Sequence, residues 1–142
     1  MGDGLMKIII PGKPVAQARP RFYRRGSFVG AYSAQQTEAG KFLLLAREYL
    51  RGKKPLNGPI FLKAEFYFPI LKSWPKWKKE KVEDGFEFPH VKKPDLSNCL
   101  KFVEDCLNGI AWKDDSQIYK VEAVKYYGTE AKTILIIEEV NE

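Results

Sequence analysis

Carboxylate side chains are concentrated in two short stretches in the second half of this 142-residue chain. The first stretch contains Asp95, Glu104 and Asp105, and the second contains Asp114 and Asp115. Carboxylates that lie close together raise one another's pKa by repulsion, so a bound cation stabilises such a cluster. Magnesium binds to one or two carboxylates together with water and phosphate oxygens, and it activates a water molecule for attack on a phosphate. These residues therefore favour a metal site that cuts nucleic acid.

A helix is predicted to carry the first acidic stretch. Pro94 disfavours helical backbone in the residue before it, and Asp95 is a favourable N-cap for a helix that begins at about Leu96. Asn108 and Gly109 are predicted to end this helix, because glycine readily adopts the left-handed conformation of a helix end. Apolar residues recur at helical spacing on one face, and the opposite face carries Ser97, Asn98, Lys101, Glu104 and Asp105.

A short connection after this helix leads to Asp114 and Asp115, so the two acidic stretches are expected to meet at one place. Lys101 would neutralise negative charge on the phosphate there. The same residues also permit a purely structural interpretation. Asp95 would then only cap the helix, Lys101 would pair with Asp105 on the surface, and the second stretch would form a turn.

The order of residues in this region forms an extended motif. It consists of Lys93-Pro94-Asp95-Leu96-Ser97-Asn98, Lys101, Asp105, Leu107, Asn108-Gly109, Trp112, Asp114-Asp115, Gln117 and Ile118. Elements nearer the N-terminus extend it, namely Pro11-Gly12-Lys13-Pro14, Arg19-Pro20-Arg21 and Lys72-Ser73-Trp74. Together these residues resemble the RusA family of Holliday-junction resolvases over most of the chain.

The resemblance implies a small homodimeric, magnesium-dependent endonuclease, with Mn2+ as a substitute metal. Such an enzyme is a crossover junction endodeoxyribonuclease, which resolves four-way DNA junctions by paired symmetric nicks in recombination and repair. Carried over by position, the catalytic residues would be Asp95, Asp115 and Lys101. Asp95, Asp115 and Asp114 would bind the metal, with Asn98 beside them at the DNA. A homodimer suits this substrate, because two-fold symmetry places one acidic site at each of two equivalent strands.

One position departs from the family pattern. Where the family has Asp-x-Asp-Asn, this chain has Ser97, whose hydroxyl is a neutral and weaker magnesium ligand. Glu104 follows on the same polar face, roughly 10 Å further along the helix, and is predicted to replace the missing carboxylate. The alternative is a solvated Glu104 that pairs with Lys101. Two other functions stay open: a junction-binding protein that has lost cleavage through Ser97, and a metal-dependent nuclease for other branched DNA or RNA.

Basic residues predict contact with a polyanion, since the net charge is +6 and the pI is about 9.2. No acidic residue lies between Lys13 and Thr37. This first basic stretch is predicted to be a pliable DNA-contacting loop that contains Arg19, Arg21, Arg24 and Arg25. A second stretch, residues 72–93, is predicted to be a long flap beside the substrate, or a loop ordered only by DNA; its candidate contacts are Lys76, Lys78, Lys79 and Lys93.

The fold class predicted from hydrophobic periodicity is α+β, in one domain that covers residues 1–142. Strands are expected over residues 6–10, 61–68, 118–127 and 133–140, with helices over residues 34–50 and from Leu96 onward. The predicted order is strand, helix, strand, helix, strand, strand. A mixed four-stranded sheet packed against two helices buries these apolar faces most simply.

Several other functions are disfavoured by the residues that the chain contains. His90 is the single histidine, and it lies outside any nucleophile motif and is predicted at the surface. Cys99 and Cys106 are predicted to be reduced core residues, about 10 Å apart along the helix. The sequence has no phosphate loop, dinucleotide fingerprint, signal peptide or membrane span, so neither an organic cofactor nor a membrane partner is expected. We expect a cytoplasmic protein encoded by a bacterium or a phage.

Overall fold

One mixed sheet and three helices make up most of the chain. A computed structural model describes residues 5–17, 21–25, 28–32 and 36–140. In chain order the elements are β1 (Leu5–Pro11), β2 (Arg21–Arg25), β3 (Phe28–Tyr32), α1 (Gln36–Leu50), β4 (Ile60–Pro69), α2 (Lys76–Glu83), α3 (Leu96–Leu107), a 3-10 turn (Asp115–Gln117), β5 (Ile118–Gly128) and β6 (Lys132–Glu139). The predicted α+β class and the mixed four-stranded sheet are confirmed.

The four long strands lie in the order β1-β6-β4-β5. β6 is antiparallel to both of its neighbours, whereas β4 and β5 are parallel. A parallel pair requires a crossover between its strands, and here the crossover contains both α2 and α3. β5 stands at the end of the strand order, so it is an edge strand. α3 leads the chain back to the first residues of β5.

The core lies between one face of the sheet and two helices. Along β4 every second residue is buried, as strand geometry requires when one face is covered. α1 and α3 supply the covering side chains, and Phe42 meets Phe102 edge-to-face with ring centroids 5.4 Å apart. Trp112, from the connection after α3, is fully buried in the same core.

Two segments that were predicted to be loops have regular structure. The second basic stretch contains α2, which follows Pro75 and buries only Val82. Because so little of α2 is buried, the apolar periodicity that identifies helices is missing from its sequence. In the first basic stretch, β2 and β3 form an antiparallel hairpin. Arg21, Arg24 and Arg25 belong to β2, whereas Arg19 lies outside the residues that the structure describes.

His90 is buried, and the prediction that it lies at the surface is wrong. Its side chain is 8% exposed and stacks on Phe68 with ring centroids 4.0 Å apart. Burial lowers the pKa of His90, and the positive charge of Lys125 lowers it further. The imidazole is therefore neutral near neutral pH, and its Nδ1 atom has no hydrogen-bond partner among the described residues. This burial depends on strands distant in sequence, which local patterns do not reveal.

The structure also describes the two cysteines and the helices that a membrane span would require. Cys99 is buried and Cys106 half-buried, both are free, and burial raises the pKa of each thiol to about 11. Cys99 belongs to the core as predicted, and Cys106 packs against the core from a half-buried position. Across residues 5–17, 21–25, 28–32 and 36–140, none of the helices has the length and apolar character that crossing a membrane requires.

Candidate acidic site

Asp115 is held at the carboxyl end of α3 by two contacts. The indole N–H of Trp112 donates to Asp115 Oδ1 at 2.7 Å, and the backbone N–H of Asp115 donates to Asn108 Oδ1 at 3.0 Å. Trp112 is fully buried, so its N–H has a fixed direction and fixes the carboxylate in turn. Within the described part of the chain, Asp115 Oδ2 has no hydrogen bond. It is the oxygen available to a ligand.

Asp114 performs a structural task one residue earlier. Its Oδ2 accepts the backbone N–H of Ser116 at 2.9 Å, and its own N–H donates to Gln117 Oε1 at 2.7 Å, which is a capping box. The hydrogen bonds from Ser116 lower the pKa of Asp114. Gln117 Nε2 also donates to the carbonyls of Leu56 and Gly58, both at 2.9 Å. These contacts fasten the turn that presents Asp115.

Glu104 belongs to the same end of α3 as Asp115. Burial raises the pKa of Glu104, and the negative charges of Asp115 and Asp105 raise it further. The alternative pairing of Glu104 with Lys101 is absent, and so is a pair between Lys101 and Asp105, among the salt bridges of the described residues. The charge of Asp115 therefore acts on Glu104, and neither carboxylate belongs to a salt bridge among the described residues.

Asp95 lies at the opposite end of α3. It occupies the predicted N-cap position with extended backbone, but its side chain makes no capping hydrogen bond. Its backbone carbonyl accepts the N–H groups of Asn98 and Cys99, both at 3.1 Å. Ser97 is exposed in the first turn of the same helix. The Asp95 carboxylate is thus available for another role.

Two independent measures show that Asp95 and Asp115 are far apart within one chain. Asn108, which contacts Asp115, follows Asp95 by 13 residues of sequence, and α-helical rise converts this to about 20 Å. β5 gives the second estimate. Asp115 lies just before Ile118, the first residue of β5, whereas Pro94 accepts a hydrogen bond from Lys125 further along the strand. Ile118 and Lys125 are about 23 Å apart along an extended strand. The expected meeting of the two acidic stretches therefore does not occur within a single chain. Accordingly, the part of the chain that the structure describes contains no group of three potential metal ligands among His, Cys, Asp and Glu.

The lysines of α2 are ordered by contacts inside the chain. Lys78 Nζ lies 3.8 Å from the centre of the Trp74 ring, and Lys79 Nζ donates to the Lys72 carbonyl at 3.1 Å. Lys76 Nζ is 3.9 Å from Glu80 Oε1. The predicted flap therefore contains a short basic helix, which is anchored through the Trp74 ring.

Two predicted DNA contacts border Asp95 itself. Lys93 is exposed, and its peptide bond to Pro94 is cis. Asn98 is half-buried, and its backbone carbonyl accepts the N–H of Gln17 at 2.9 Å. The segment after β1 thereby reaches the first turn of α3, a contact that no local pattern of residues indicates.

Four residues that contact Asp115, the turn around it or the segment before Asp95 were not predicted as part of the site. Trp112, Asn108 and Gln117 lie inside the extended motif, so their position was a usable signal for a supporting role. The fourth, Lys125, lies outside the motif on β5, and its relation to Asp95 depends on tertiary structure alone.

The chain matches known proteins over almost its whole length. A family model described as endodeoxyribonuclease RusA matches residues 11–138. A protein of Bacillus subtilis (strain 168) described as "Uncharacterized protein YqaN" is 34% identical over 139 residues, which are 96% of this chain and 97% of that protein. Asp95, Lys101 and Asp115 all lie within the range that the family model matches.

Proposed function

The chain belongs to the RusA family of endodeoxyribonucleases, and on this premise we propose that it is a homodimeric, magnesium-dependent resolvase of four-way DNA junctions. It acts by paired symmetric nicks in recombination and repair, within the cytoplasm. The observation that carries the proposal is the Asp115 carboxylate, which a buried indole orients beside the half-buried Glu104. Two carboxylates held near each other are unfavourable without a cation, which gives the arrangement a reason in metal binding.

The oxygen donors at this end of α3 fit magnesium. Carboxylate oxygens are its preferred protein ligands, and only one or two are needed when waters and phosphate oxygens complete the shell. Asp115 Oδ2 and the Glu104 carboxylate would be the ligands from one chain, because both lack a hydrogen bond within the described residues. Asp114 remains a third candidate through the oxygen that its capping hydrogen bond does not use. When bound, magnesium would activate a water and stabilise the leaving oxygen of the phosphodiester.

A second copy of the chain would supply Asp95. If α3 of two copies lie antiparallel about a two-fold axis, Asp95 of one copy faces the Glu104 and Asp115 end of the other. Symmetry then creates two such sites per dimer, one for each strand that is cut. Lys101 lies about midway along α3, roughly 9 Å from Asp95, where its extended side chain reaches toward the phosphate and neutralises charge.

Two basic surfaces are proposed to bind the phosphate backbone on either side of the acidic site. α2 carries Lys76, Lys78 and Lys79, and the hairpin carries Arg21, Arg24 and Arg25 in β2. Lys93 and Asn98 border Asp95 directly. Phosphate contacts orient a protein on nucleic acid and make its affinity strongly dependent on salt.

The proposal is tested by cleavage of a labelled mobile four-way junction with and without magnesium. Linear duplex and structured RNA are compared at one salt concentration, because basic surfaces bind any nucleic acid. Paired symmetric nicks in the junction, dependent on magnesium, are expected. Equal cleavage of linear duplex or RNA would replace the proposal by a nuclease of other specificity, and a monomer with full activity would contradict the dimer.

Ser97→Asp tests the second candidate function, which is junction binding without cleavage. The exposed Ser97 favours this candidate because a hydroxyl stands, two residues after Asp95, where the family has a charged ligand. We expect the wild type to nick, and Ser97→Asp to lower the magnesium concentration for half-maximal nicking by roughly tenfold, as about 1.4 kcal/mol of added binding gives. Nicking by Ser97→Asp alone, with tight junction binding by both proteins, would instead establish the second candidate.

Glu104→Gln is expected to stabilise the metal-free protein near neutral pH and to abolish nicking. The raised pKa of Glu104 means that its ionised form is disfavoured in the folded protein, so stability is lost as the pH rises from the ordinary value of 4.5 through the folded value. Glutamine removes this penalty and one magnesium ligand together. The measurement is thermal unfolding as a function of pH, with and without magnesium. Magnesium should stabilise the wild type more than it stabilises Glu104→Gln. Unchanged nicking by Glu104→Gln would show that Glu104 is not a ligand.

A further inference from the structure

The segment that leads into Asp95 is attached to the outer edge of β5. The backbone N–H of His90 donates to the Lys125 carbonyl, and that of Tyr127 donates to the Phe88 carbonyl, both at 3.0 Å. Pro89 pairs with Tyr126 between these bonds. Residues 88–90 therefore continue the sheet beyond its edge strand. The attachment ends at His90, four residues short of Pro94.

The side chain of Lys125 bridges the remaining residues. Its Nζ donates to the Lys92 carbonyl at 2.8 Å and to the Pro94 carbonyl at 2.6 Å. The salt bridges of the described residues do not include Lys125. A lysine on an edge strand ordinarily extends its charge into water. Here the charge is directed at two neutral carbonyls, and such charge-assisted hydrogen bonds are among the strongest that a side chain forms.

These contacts matter because no hydrogen bond or salt bridge among the described residues holds the Asp95 side chain. Its carboxylate makes no capping hydrogen bond, whereas Asp115 is fixed by Trp112 and by the turn after it. Below the bridge, His90 stacks on Phe68, and Lys125 Nζ itself lies 5.9 Å from the centre of the Phe68 ring. The Lys125 side chain therefore packs beside a core residue, and its hydrogen bonds reach Pro94, the residue immediately before Asp95.

We propose that Lys125 is a positioning residue of the acidic site, which fixes the direction of Asp95 by holding the carbonyls of Lys92 and Pro94. The inference rests on the proposed function, since Asp95 needs a fixed direction only if it acts in cleavage. Lys125 acts through the backbone and is not itself a catalytic residue. Displacement of a metal ligand by about 1 Å removes much of the activity of a site. A fixed loop before Asp95 therefore favours cleavage.

The test compares Lys125→Met and Lys125→Arg with wild type in two separate measurements. Hydrogen exchange of the backbone amides over residues 90–98 reports the loop in the absence of activity. Rates of junction nicking and junction affinity report the site. Lys120→Met is the matched control, because Lys120 is exposed on the same strand and its charge lies over the Phe61 ring, remote from Asp95.

For Lys125→Met we expect exchange over residues 90–98 to accelerate by roughly 10- to 100-fold, with β4 and β6 unchanged. Nicking should fall by roughly 10- to 100-fold, as loss of a supporting contact does elsewhere, while junction affinity changes little. Lys125→Arg keeps the charged donors and should recover most of the protection and activity. Lys120→Met should match wild type in both measurements.

Unchanged exchange in Lys125→Met would overturn the proposal whatever happens to nicking. A loss of junction affinity parallel to the loss of nicking, with exchange unchanged, would identify Lys125 as a DNA contact instead. If Lys125→Met does not fold, Lys125→Gln replaces it and the same two measurements decide. A wild type that nicks no junction would overturn the proposed function, whereas the exchange comparison would still test the role of Lys125.

Discussion

Asp115→Asn is expected to reduce magnesium-dependent nicking by at least about a thousandfold, which corresponds to about 4 kcal/mol of transition-state stabilisation. Asparagine has almost the shape of aspartate, and its Oδ1 still accepts the indole N–H of Trp112. The substitution therefore removes the negative charge and keeps the geometry. Nicking of a labelled junction at saturating magnesium measures the effect, with binding to the same junction measured in parallel.

Junction affinity should stay within about threefold of wild type in Asp115→Asn, because the basic surfaces are untouched. Glu122→Gln is the matched control, since Glu122 is an exposed carboxylate on β5 that pairs with Lys63 at 3.8 Å. It should nick like wild type. Nicking by Asp115→Asn at the control rate would remove Asp115 from the catalytic residues and with it the main support for the proposed function.

A mixture of the two inactive variants Asp95→Asn and Asp115→Asn is expected to recover nicking. If each site combines Asp95 of one copy with Asp115 of the other, a heterodimer of the variants contains one doubly altered site and one intact site. Random exchange makes half of the dimers heterodimers with one working site each, so about a quarter of the wild-type activity should return. The products should be single nicks and not paired ones. Denaturing gels of a doubly labelled junction distinguish the two outcomes.

A second mixture is the control for this recovery. Asp115→Asn and Glu104→Gln alter the same end of α3, so every site in their heterodimer carries one of the two changes. This mixture should stay inactive. One variant is labelled with 15N, because the two variants otherwise have the same mass. If the first mixture also stays inactive although mass spectrometry detects heterodimers, each site is formed within one chain, and the separation along α3 must close by a rearrangement of the chain.

Sequence patterns predicted the scaffold of this site well. α3 begins at Leu96 and ends before Asn108 as predicted, because a proline before it, a glycine after it and a clear apolar stripe all indicate the same bounds. The ends of the strands β4, β5 and β6 differ from prediction by at most one residue. α2 was missed because it buries a single residue, so its composition resembles that of a charged loop.

The arrangement of the site was less predictable than its residues. The connection from Asn108 to Asp115 is long enough to reach several places, and the choice depends on the buried Trp112 and on the capping box at Asp114. His90 and Lys125 owe their contacts to the parallel pairing of β4 with β5, which joins segments some 60 residues apart. Local periodicity carries no information about such pairings. The acidic residues are therefore still predictions as site residues, whereas their distribution over the two ends of α3 differs from the expected meeting at one place.

The position of β6 has a consequence for synthesis of the chain on the ribosome. β6 is the last strand in sequence, yet it lies between β1 and β4 and pairs with both. Until β6 has been translated, β1 has no strand to pair with, and one edge of β4 is unpaired. Nascent chains with unpaired strands are prone to aggregate and are held by chaperones. We therefore expect the sheet, and with it the acidic site at the start of β5, to form only after β6 has emerged.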